Sequence, residues 1–414
     1  MPTAVICTGT ELLKGGCCNT DLQYLGSKLT ACALPPVMEL TIGDHPDELC
    51  YAIGCALKQA DTLIISGGLG PTSDDITLET VSRFFGVKLV LVPELKEKVE
   101  KFWAMRHSGH CPKFQYKQAM IVENGRYFDN PSGTASGIAF ETMYGGKMRH
   151  VYLLPGPPGE FETVLNNGVL DELQANGDKK LYTDGFLICS VGEAFVSKHV
   201  EAMFKGLDLE LAYTAVPGGT KLFLSGKDQE LVSAAIQKAR EFFGKNALPA
   251  GCFDLPETLL NKLRSRNLTL GCAESCTGGM TADAIVSIPG ASDIFQGGIV
   301  AYDNSVKEKL LQVPAQILQE SGAVSSQCAE AMALGACRAL NCSCAVSTTG
   351  IAGPGGGTPE KPVGLVYVGA AVNGLAAVKE LRLRGSRRMI RERAVAAALY
   401  LLYELLDAPE NNLC

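Results

Sequence analysis

The sequence TLIISGGLGPTSDD, residues 62–75, contains the pattern that decides the fold. Its apolar, β-branched run Thr62–Ser66 predicts a buried strand, and the glycines after it predict a turn into the helical pattern of Ile76–Phe85. Strands that alternate with helices of this length form βαβ units, so we predict a largely parallel sheet covered on both faces. The same alternation precedes this stretch, in Ala4–Cys7, Thr20–Ala31, Val37–Ile42 and Pro46–Gln59.

The chain has 414 residues, enough for two or three domains at about 150 residues each. Residues 185–243 show a different pattern, a small β-α-β-β-α unit with a hairpin turn at Val216–Gly219. After a short connector, strand and helix patterns alternate again from Pro256, and an amphipathic helix is predicted from Ser386 to Leu406. We therefore predict three domains, residues 1–170, 178–248 and 254–414.

The composition excludes several classes of protein. The formal net charge of −7 gives the molecule no overall attraction for nucleic acid, and 46% hydrophobic with 20% charged residues excludes a disordered chain. We find no signal-peptide pattern and no uncharged apolar run of membrane-spanning length, so we expect a cytoplasmic protein without membrane contact. Its 16 cysteines form no C-x-x-C pair, and we expect them to be reduced and mostly core-filling.

The third domain contains no histidine, because all five (His45, His107, His110, His150 and His199) precede the connector. Unless another subunit supplies an imidazole, this excludes Ser-His-Asp and Cys-His chemistry there. A hydrolase in this domain needs a lysine, a tyrosine or a carboxylate as its base.

The first candidate loop of the third domain is GCAESCTGGM, residues 271–280, between a predicted strand and a helix. Ser275 is the candidate nucleophile, although a helix-capping serine explains the same pattern equally well. Cys272 or Cys276 is a less favoured nucleophile, since no histidine is present to form the thiolate. The candidate backbone donors to an anion or oxyanion are those of Thr277, Gly278 and Gly279.

Tyr302 and Lys307 follow the next predicted strand. Lys307 falls in the first turn of a helix, where the macrodipole disfavours a positive charge and lowers the pKa of the amine. A neutral amine there suits a base beside a serine. The alternative is an ordinary solvated lysine on an exposed face.

Two further elements of the third domain offer donors to an anion. The glycine-rich stretch STTGIAGPGGGT, residues 347–358, lacks the lysine of a Walker A loop but could bind a phosphate or an oxyanion. Arg387 and Arg391 lie four residues apart on one helix face and could grip one anion together. A plain loop and a basic helix exterior pairing with Glu392 are the alternatives. The candidate glycines are Gly350, Gly353 and Gly355.

The first domain offers a second candidate site in the loop after Ser66. The glycine N–H groups suit a diphosphate, and Asp74 and Asp75 could hold a divalent cation, although Asp75 could equally be a helix cap. Other polar residues at neighbouring loops would complete a ring, among them Asn19, Asp21 and Asp44. The main candidates beside the two aspartates are Glu11, Gly67, Gly68, Gly70, Thr72, Lys117 and Glu160.

The third domain resembles the nicotinamide mononucleotide amidohydrolase domain of the CinA family. The resemblance rests on AESCTGG (273–279), the Tyr302–Lys307 segment and STTGIAGP (347–354), and covers nearly all of residues 256–406. It implies hydrolysis of the nicotinamide carboxamide to the acid with release of ammonia, without a cofactor. By motif position Ser275 would be the nucleophile, Lys307 its base, Tyr302 a polarising hydroxyl, and Thr349 a residue that orients the amide or assists the oxyanion. The substrate phosphate would meet the glycine loop or the arginines.

The first domain resembles the CinA N-terminal domain, which is related to molybdopterin-binding proteins. The matching stretches are GTELL (9–13), residues 67–75, KQA (117–119) and PGPPGE (155–160). They imply metal-dependent cleavage of ADP-ribose at its pyrophosphate, with Mg²⁺, Mn²⁺ or Co²⁺. The family usually has Leu-Gly-Gln-hydrophobic-hydrophobic-Asn-Thr-Asn after GTELL, whereas KGGCCNTD (14–21) adds a charge and puts the substrate preference in doubt.

The middle unit resembles the family's KH-like insert but lacks the G-x-x-G clamp of a nucleic-acid-binding KH domain. We interpret it as a spacer or dimer element and expect a homodimer. The predicted fold is thus α/β, with two three-layer α/β domains joined by a small KH-like α+β domain. The predicted function is a two-site enzyme of pyridine nucleotide salvage. The alternatives are a pterin- or nucleotide-binding protein with one or both sites silent, and an interaction protein in DNA uptake or repair, which the net charge does not favour.

Overall fold

The computed structural model describes residues 2–31, 34–176 and 182–407. It divides into two units, residues 1–183 with 226–228 and residues 184–225 with 229–414. The middle segment of the chain is therefore mostly part of the second unit. Across the described ranges, no helix combines the length and apolarity needed to cross a membrane.

The first unit is built on a six-stranded mixed sheet. Its order is β2-β1-β3-β8-β7-β6, in which β2, β1, β3 and β8 run parallel and β7 and β6 complete the sheet antiparallel. A separate antiparallel pair joins β4 to β5. The strands are β1 (Thr3–Thr8), β2 (Met38–Ile42), β3 (Thr62–Ser66), β4 (Leu89–Leu91), β5 (Met120–Val122), β6 (Arg126–Phe128), β7 (Gly137–Tyr144) and β8 (Lys147–Leu154).

Helices cover both faces of this sheet. Every residue of β1 is buried, and alternate residues enter two different cores, Ala4 and Ile6 on one face and Val5 and Cys7 on the other. The predicted three-layer α/β arrangement is confirmed. The helices are α1 (Thr10–Leu13), α2 (Thr20–Ala31), α3 (Pro46–Ala56), α4 (Thr77–Phe85), α5 (Pro93–Arg106), α6 (Pro158–Val164) and α7 (Leu170–Asn176), with a 3₁₀ turn at Lys113–Ala119 and a π turn at Leu165–Val169.

The middle segment has the predicted order of strand, helix, strand, strand and helix. Its three-stranded sheet runs β10-β11-β9, and its likeness to a KH domain stays a prediction. Leu187, Cys189 and Leu248 enter the same core cluster as the last helix of the chain, so the segment packs on the third domain. Its elements are β9 (Tyr182–Cys189), α8 (Glu193–Met203), β10 (Glu210–Val216), β11 (Gly219–Gly226) and α9 (Gln229–Phe243), followed by a 3₁₀ turn at Gly244–Asn246.

The third domain holds a five-stranded sheet of order β13-β12-β14-β15-β16. The first three strands of this order are parallel and the last two antiparallel, so the carboxyl ends of β13, β12 and β14 meet at one edge. The strands are β12 (Leu270–Glu274), β13 (Phe295–Val300), β14 (Cys344–Gly350), β15 (Leu365–Val372) and β16 (Leu375–Arg382).

The helices of the third domain cover this sheet on both faces. Three helices lie between Tyr302 and Cys344; Gln312 turns left-handed at the end of the first, and Pro314 precedes the second. The helices are α10 (Leu255–Ser265), α11 (Met280–Val286), α12 (Asn304–Leu311), α13 (Ala315–Glu320), α14 (Ser326–Leu340) and α15 (Arg387–Leu405), with a 3₁₀ turn at Ala291–Asp293.

Helix α15 also supports the middle segment. A Cβ atom on Gly218 would lie 2.8 Å from the Cβ of Ala396, so only glycine allows the hairpin turn to approach the helix this closely. The hydroxyl of Tyr400 donates to the Lys245 carbonyl at 3.1 Å. The same helix therefore belongs to the third-domain core along one face and holds the middle segment along another.

Candidate functional sites

Ser275 stands at the carboxyl edge of the third-domain sheet. Its own N–H donates to the Thr348 carbonyl at 2.9 Å, which fixes the loop after β12 against β14. The side chain is half-buried, and its Oγ makes no hydrogen bond within the described chain. The N–H groups of Thr277 and Gly278 have no hydrogen-bond partner in the described part of the chain, whereas that of Cys276 contacts its own thiol. A reactive hydroxyl is thus followed by two unpaired backbone donors of the kind that stabilise an oxyanion.

Glu274, which was not among the residues predicted for this site, organises this loop. The residue is 1% exposed, and its carboxylate accepts from the N–H groups of Gly279, Thr281 and Ala282 at 2.9–3.0 Å. It therefore caps the start of α11. The expectation that the Gly279 N–H binds an anion is wrong in this conformation, because that donor is already used. The sequence signal that could have identified Glu274 is a charged residue at the end of a buried apolar strand.

Lys307 is 1% exposed, so the alternative of a solvated surface lysine is wrong. Its Nζ donates to the carbonyls of Ala301 and Tyr302 at 2.8 and 3.0 Å. Burial lowers the pKa of this amine from its usual 10.5. A neutral amine has two hydrogens and one lone pair; two carbonyls can hold both hydrogens and leave the lone pair free to accept a proton.

The cysteines near Ser275 are poor nucleophiles in this structure. Burial raises the pKa of Cys276 to about 11, and burial with the nearby Glu274 carboxylate raises that of Cys272 further. Both thiols are therefore protonated at neutral pH, whereas the thiolate is the reactive form. This favours the serine over either cysteine.

Two arginines of α15 connect the glycine loops of the third domain. Arg391 donates to the Thr277 carbonyl, and Arg387 donates to the Gly353 carbonyl at 2.7 Å. The second Arg387 nitrogen lies 3.5 Å from the hydroxyl of Tyr302, whose side chain is 64% exposed. The structure thus places these arginines, Tyr302 and both loops around one edge of the sheet.

Three other predicted residues of this domain have structural contacts instead. The hydroxyls of Thr277 and Thr348 lie 2.6 Å apart, and the buried Thr349 hydroxyl donates to the Ala323 carbonyl at 2.6 Å. Thr349 is thus not placed as a donor to a substrate amide or oxyanion. Gly350 is paired in the sheet with Val366, where a Cβ would lie 2.7 Å from the Val366 Cα. Gly355 is exposed.

The first unit contains a cavity of about 750 Å³ at the carboxyl ends of its parallel strands. The glycine loop forms one wall: a Cβ on Gly67, whose φ is +100°, would lie 2.4 Å from the Thr8 carbonyl oxygen, so the close approach requires glycine. Of the predicted residues Thr72 and Lys117 are not in the cavity lining. Those that line it are Glu11, Gly67, Gly68, Gly70, Asp74, Asp75 and Glu160, joined by Asp21 and Asp44.

Thr72 and Lys117 stabilise the glycine loop through hydrogen bonds to Asp75. Asp75 Oδ2 accepts from both the N–H and the hydroxyl of Thr72, at 2.8 and 2.5 Å. The Thr72 hydroxyl also lies 2.5 Å from Asp74, and this hydrogen bond lowers the pKa of Asp74. Lys117 donates to the Asp75 carbonyl and lies 3.1 Å from Glu79. The Asp75 side chain, which was considered as a helix cap, thus accepts hydrogen bonds from Thr72 in the loop itself.

The carboxylates of the cavity do not form a ready-made metal centre. Within the described ranges, no three His, Cys, Asp or Glu side chains are close enough together to hold a metal ion. Their oxygen donors nevertheless have the chemistry that Mg²⁺ and Mn²⁺ prefer, and Mg²⁺ is commonly held by one or two carboxylates with substrate phosphates and water. Asp74 and Asp75 therefore fit a cation that arrives with a phosphorylated ligand.

Asp21 is the perturbed acid of this cavity. It is 8% exposed, and its Oδ2 accepts from the Ser66 hydroxyl at 2.8 Å. Burial raises its pKa to about 6, and the nearby Glu162 charge adds to the effect. From the sequence Asp21 was only one further carboxylate, because burial of an acid in the first turn of a helix leaves no trace in local sequence.

We expect Asp21→Asn to stabilise the protein at pH 8 and to change little at pH 4. The folded pKa of Asp21, about 6, lies above the unfolded value near 3.8, so stability falls as the pH rises between these two values and the full cost of ionisation is reached above about 6. A difference of about two units corresponds to a gain on the order of 3 kcal/mol above that pH. Thermal unfolding at both pH values measures it, with exposed Asp47→Asn as the control. An equal effect at pH 4 would contradict the explanation.

Comparison with known proteins assigns both parts of the chain to domain families. Residues 4–175 match the family described as "Probable molybdopterin binding domain", and residues 253–406 match the CinA C-terminal domain. The fold and both sites thus define a protein with a molybdopterin-binding-type domain followed by a CinA C-terminal domain.

Relatives match along nearly the whole chain. A CinA-like protein of Dictyoglomus turgidum is 38% identical over 398 residues, covering 94% of this chain and 96% of that one. One from Kosmotoga olearia is 38% identical, covering 96% and 97%. The solved structure of competence/damage inducible protein CihA from Agrobacterium tumefaciens is 41% identical, with a TM-score of 0.36, and covers 36% of this chain and 93% of that one. The chain belongs to the CinA family.

Proposed function

We propose that the third domain hydrolyses the carboxamide of nicotinamide mononucleotide to the carboxylate and ammonia. The observation that carries the proposal is Lys307, a buried amine held by two carbonyls in a domain that has no histidine. Lysine is therefore the group suited to activate Ser275, and the resemblance of both motifs to the family's amidohydrolase domain gives them the same roles.

In the proposed reaction the neutral amine of Lys307 takes the proton of the Ser275 hydroxyl as Oγ attacks the carboxamide carbon. The negative charge that forms on the amide oxygen is stabilised by the unpaired N–H groups that follow Ser275. The protonated lysine returns its proton to the departing nitrogen, which leaves as ammonia. Water, deprotonated by the same amine, then cleaves the ester and releases the acid and Ser275.

Arg387 and Arg391 are the proposed contacts of the substrate's phosphate. Each uses one nitrogen to hold a backbone carbonyl, Gly353 for one and Thr277 for the other. A guanidinium has five N–H donors, so further donors remain for an anion. Arg391 is thereby attached to the loop that carries Ser275 and Arg387 to the second glycine loop, and Tyr302 beside Arg387 is left to contact the sugar or the amide.

For the first unit we propose metal-dependent hydrolysis of the ADP-ribose pyrophosphate. A cavity of about 750 Å³ is of the size that holds a nucleotide, and its glycine loop suits a diphosphate. A bound Mg²⁺, Mn²⁺ or Co²⁺ would neutralise phosphate charge. Asp74 and Asp75 would hold it, and the other carboxylates of the cavity would orient water and the ribose hydroxyls.

Asp74→Asn tests this second activity. We expect phosphate-ester products from ADP-ribose to fall at least about a hundredfold, because one charged ligand of the cation is lost. Ammonia release from nicotinamide mononucleotide should stay at the wild-type rate, since that site is in the other domain. Asp47→Asn, an exposed acid outside the cavity, is the control. Equal loss of both activities would contradict two separate sites.

A pterin- or nucleotide-binding protein with a silent first site is the second candidate. The hydrogen bonds from Thr72 to Asp75 favour it, because they occupy an oxygen that a cation would need. Calorimetric binding of ADP-ribose with no product over hours in Mg²⁺, Mn²⁺ and Co²⁺ would establish this alternative.

A further inference from the structure

The end of helix α14 brings two cysteines together. The helix stops at Asn341, which is left-handed with φ of 48°. The N–H of Cys342 donates to the Cys337 carbonyl at 3.1 Å, and that of Asn341 to Arg338 at 3.4 Å. These two bonds form a Schellman motif, in which the side chains at the positions of Cys337 and Cys342 characteristically contact each other.

This turn makes the two thiols neighbours. The Cys342 thiol donates to the Ala336 carbonyl at 3.9 Å. Its interaction with Cys337, together with the adjacent Arg338, lowers the pKa of Cys337, while the pKa of Cys342 is raised. Both residues are unbridged and half-buried, unlike Cys328 and Cys344, which are buried. Cys337 therefore combines a lowered pKa with access from solvent, and the helix-ending turn places Cys342 beside it.

We propose that Cys337 and Cys342 form a reversible dithiol–disulfide site that reacts with hydroperoxides. The Cys337 thiolate attacks a hydroperoxide oxygen; an S–O bond forms, the O–O bond breaks, and the departing oxygen leaves as an alcohol or water. The Cys342 sulfur then attacks the Cys337 sulfur, and hydroxide leaves with the Cys342 proton as water. The two thiols lose two electrons and the hydroperoxide gains them. A dithiol reductant restores the pair.

The chain carries its own control for this geometry. Cys50 and Cys55 have the same five-residue separation and are also half-buried, but both lie inside the regular helix α3. Residues five apart in an α-helix point about 140° away from each other around its axis, so these sulfurs cannot meet without unwinding the helix. The separation along the chain and the half-buried state are matched, whereas the helix-ending turn and the adjacent Arg338 belong to the Cys337–Cys342 pair.

The test is oxidation of the reduced full chain with graded hydrogen peroxide, alkylation of the remaining thiols, tryptic digestion without reduction and mass spectrometry. Trypsin cuts after Arg338, so a bridge joins two peptides that otherwise separate. We expect this species in wild type and in Cys344→Ser, its absence in Cys337→Ser and Cys342→Ser, and reversal by dithiothreitol. It should exceed a Cys50–Cys55 bridge more than about tenfold. Persistence of the bridge in Cys337→Ser, equal bridging of both pairs, or oxidation of Cys337 to its sulfinic acid without bridging would overturn the proposal.

Discussion

Ser275→Ala is expected to reduce ammonia release from nicotinamide mononucleotide at least about a thousandfold, as loss of the attacking atom does in other serine hydrolases. The fold should be unaffected, because the Ser275 Oγ has no hydrogen bond to lose among the described residues. Steady-state ammonia release and thermal unfolding together measure the two effects. ADP-ribose hydrolysis by the same variant should equal that of wild type.

Ser287→Ala is the matched control for this substitution. Ser287 follows α11, and its hydroxyl donates only to the Asp283 carbonyl, at 2.8 Å. We expect wild-type ammonia release from this variant. If Ser275→Ala kept more than about a tenth of the activity, another nucleophile would have to act, and the protonated Cys276 thiol beside it would be examined next through Cys276→Ala.

Lys307→Met is expected to lower the same rate by roughly a thousandfold, within the range for loss of a general base. Methionine resembles lysine in length and lacks the amine, so it fills the buried space without supplying a base. Lys309→Met, an exposed lysine of the same helix, is the control and should retain the wild-type rate. A Lys307→Met variant that folds and deamidates normally would exclude the proposed base.

The pH dependence of the reaction is a second test of Lys307 as the general base. Only the neutral amine accepts a proton, so kcat/KM should rise with pH through the pKa of Lys307, which burial holds below 10.5. This rise should be absent from the residual activity of Lys307→Met. Rates between pH 6 and pH 10 check it, and a wild-type rate that falls with rising pH would contradict a lysine base.

Sequence patterns located the sites because they encode strand ends. The apolar run ending at Ser66 and the strand predicted before the 271–280 loop indicated which loops meet at the carboxyl edge of each sheet, and the structure places the candidate loops there. They could not show which donors in those loops are already used. Gly279, from the glycine-rich loop pattern, and Thr349, from the family resemblance, were expected to bind a ligand, whereas Glu274 accepts from the first and the Ala323 carbonyl from the second.

Burial was the second quantity that local sequence could not supply. Lys307 in a first helical turn was compatible with an exposed or an active amine, and only packing against Ala301 and its neighbours distinguishes them. Asp21 is similar: its raised pKa depends on burial beside Ser66, a residue 45 positions away. Protonation states follow from three-dimensional contacts, which motif spacing does not encode.

Because the middle segment packs closely on α15, proteins that lack this segment should evolve differently along that helix. A gene that encoded the third domain alone would leave the surface around Ala396 and Tyr400 without the chain that now shields it. Selection against self-association would then favour polar substitutions at those two positions. Arg387 and Arg391 on the same helix would still be constrained by their proposed contacts with the substrate's phosphate. Neighbouring positions of one helix should thus diverge at different rates in single-domain and multidomain lineages.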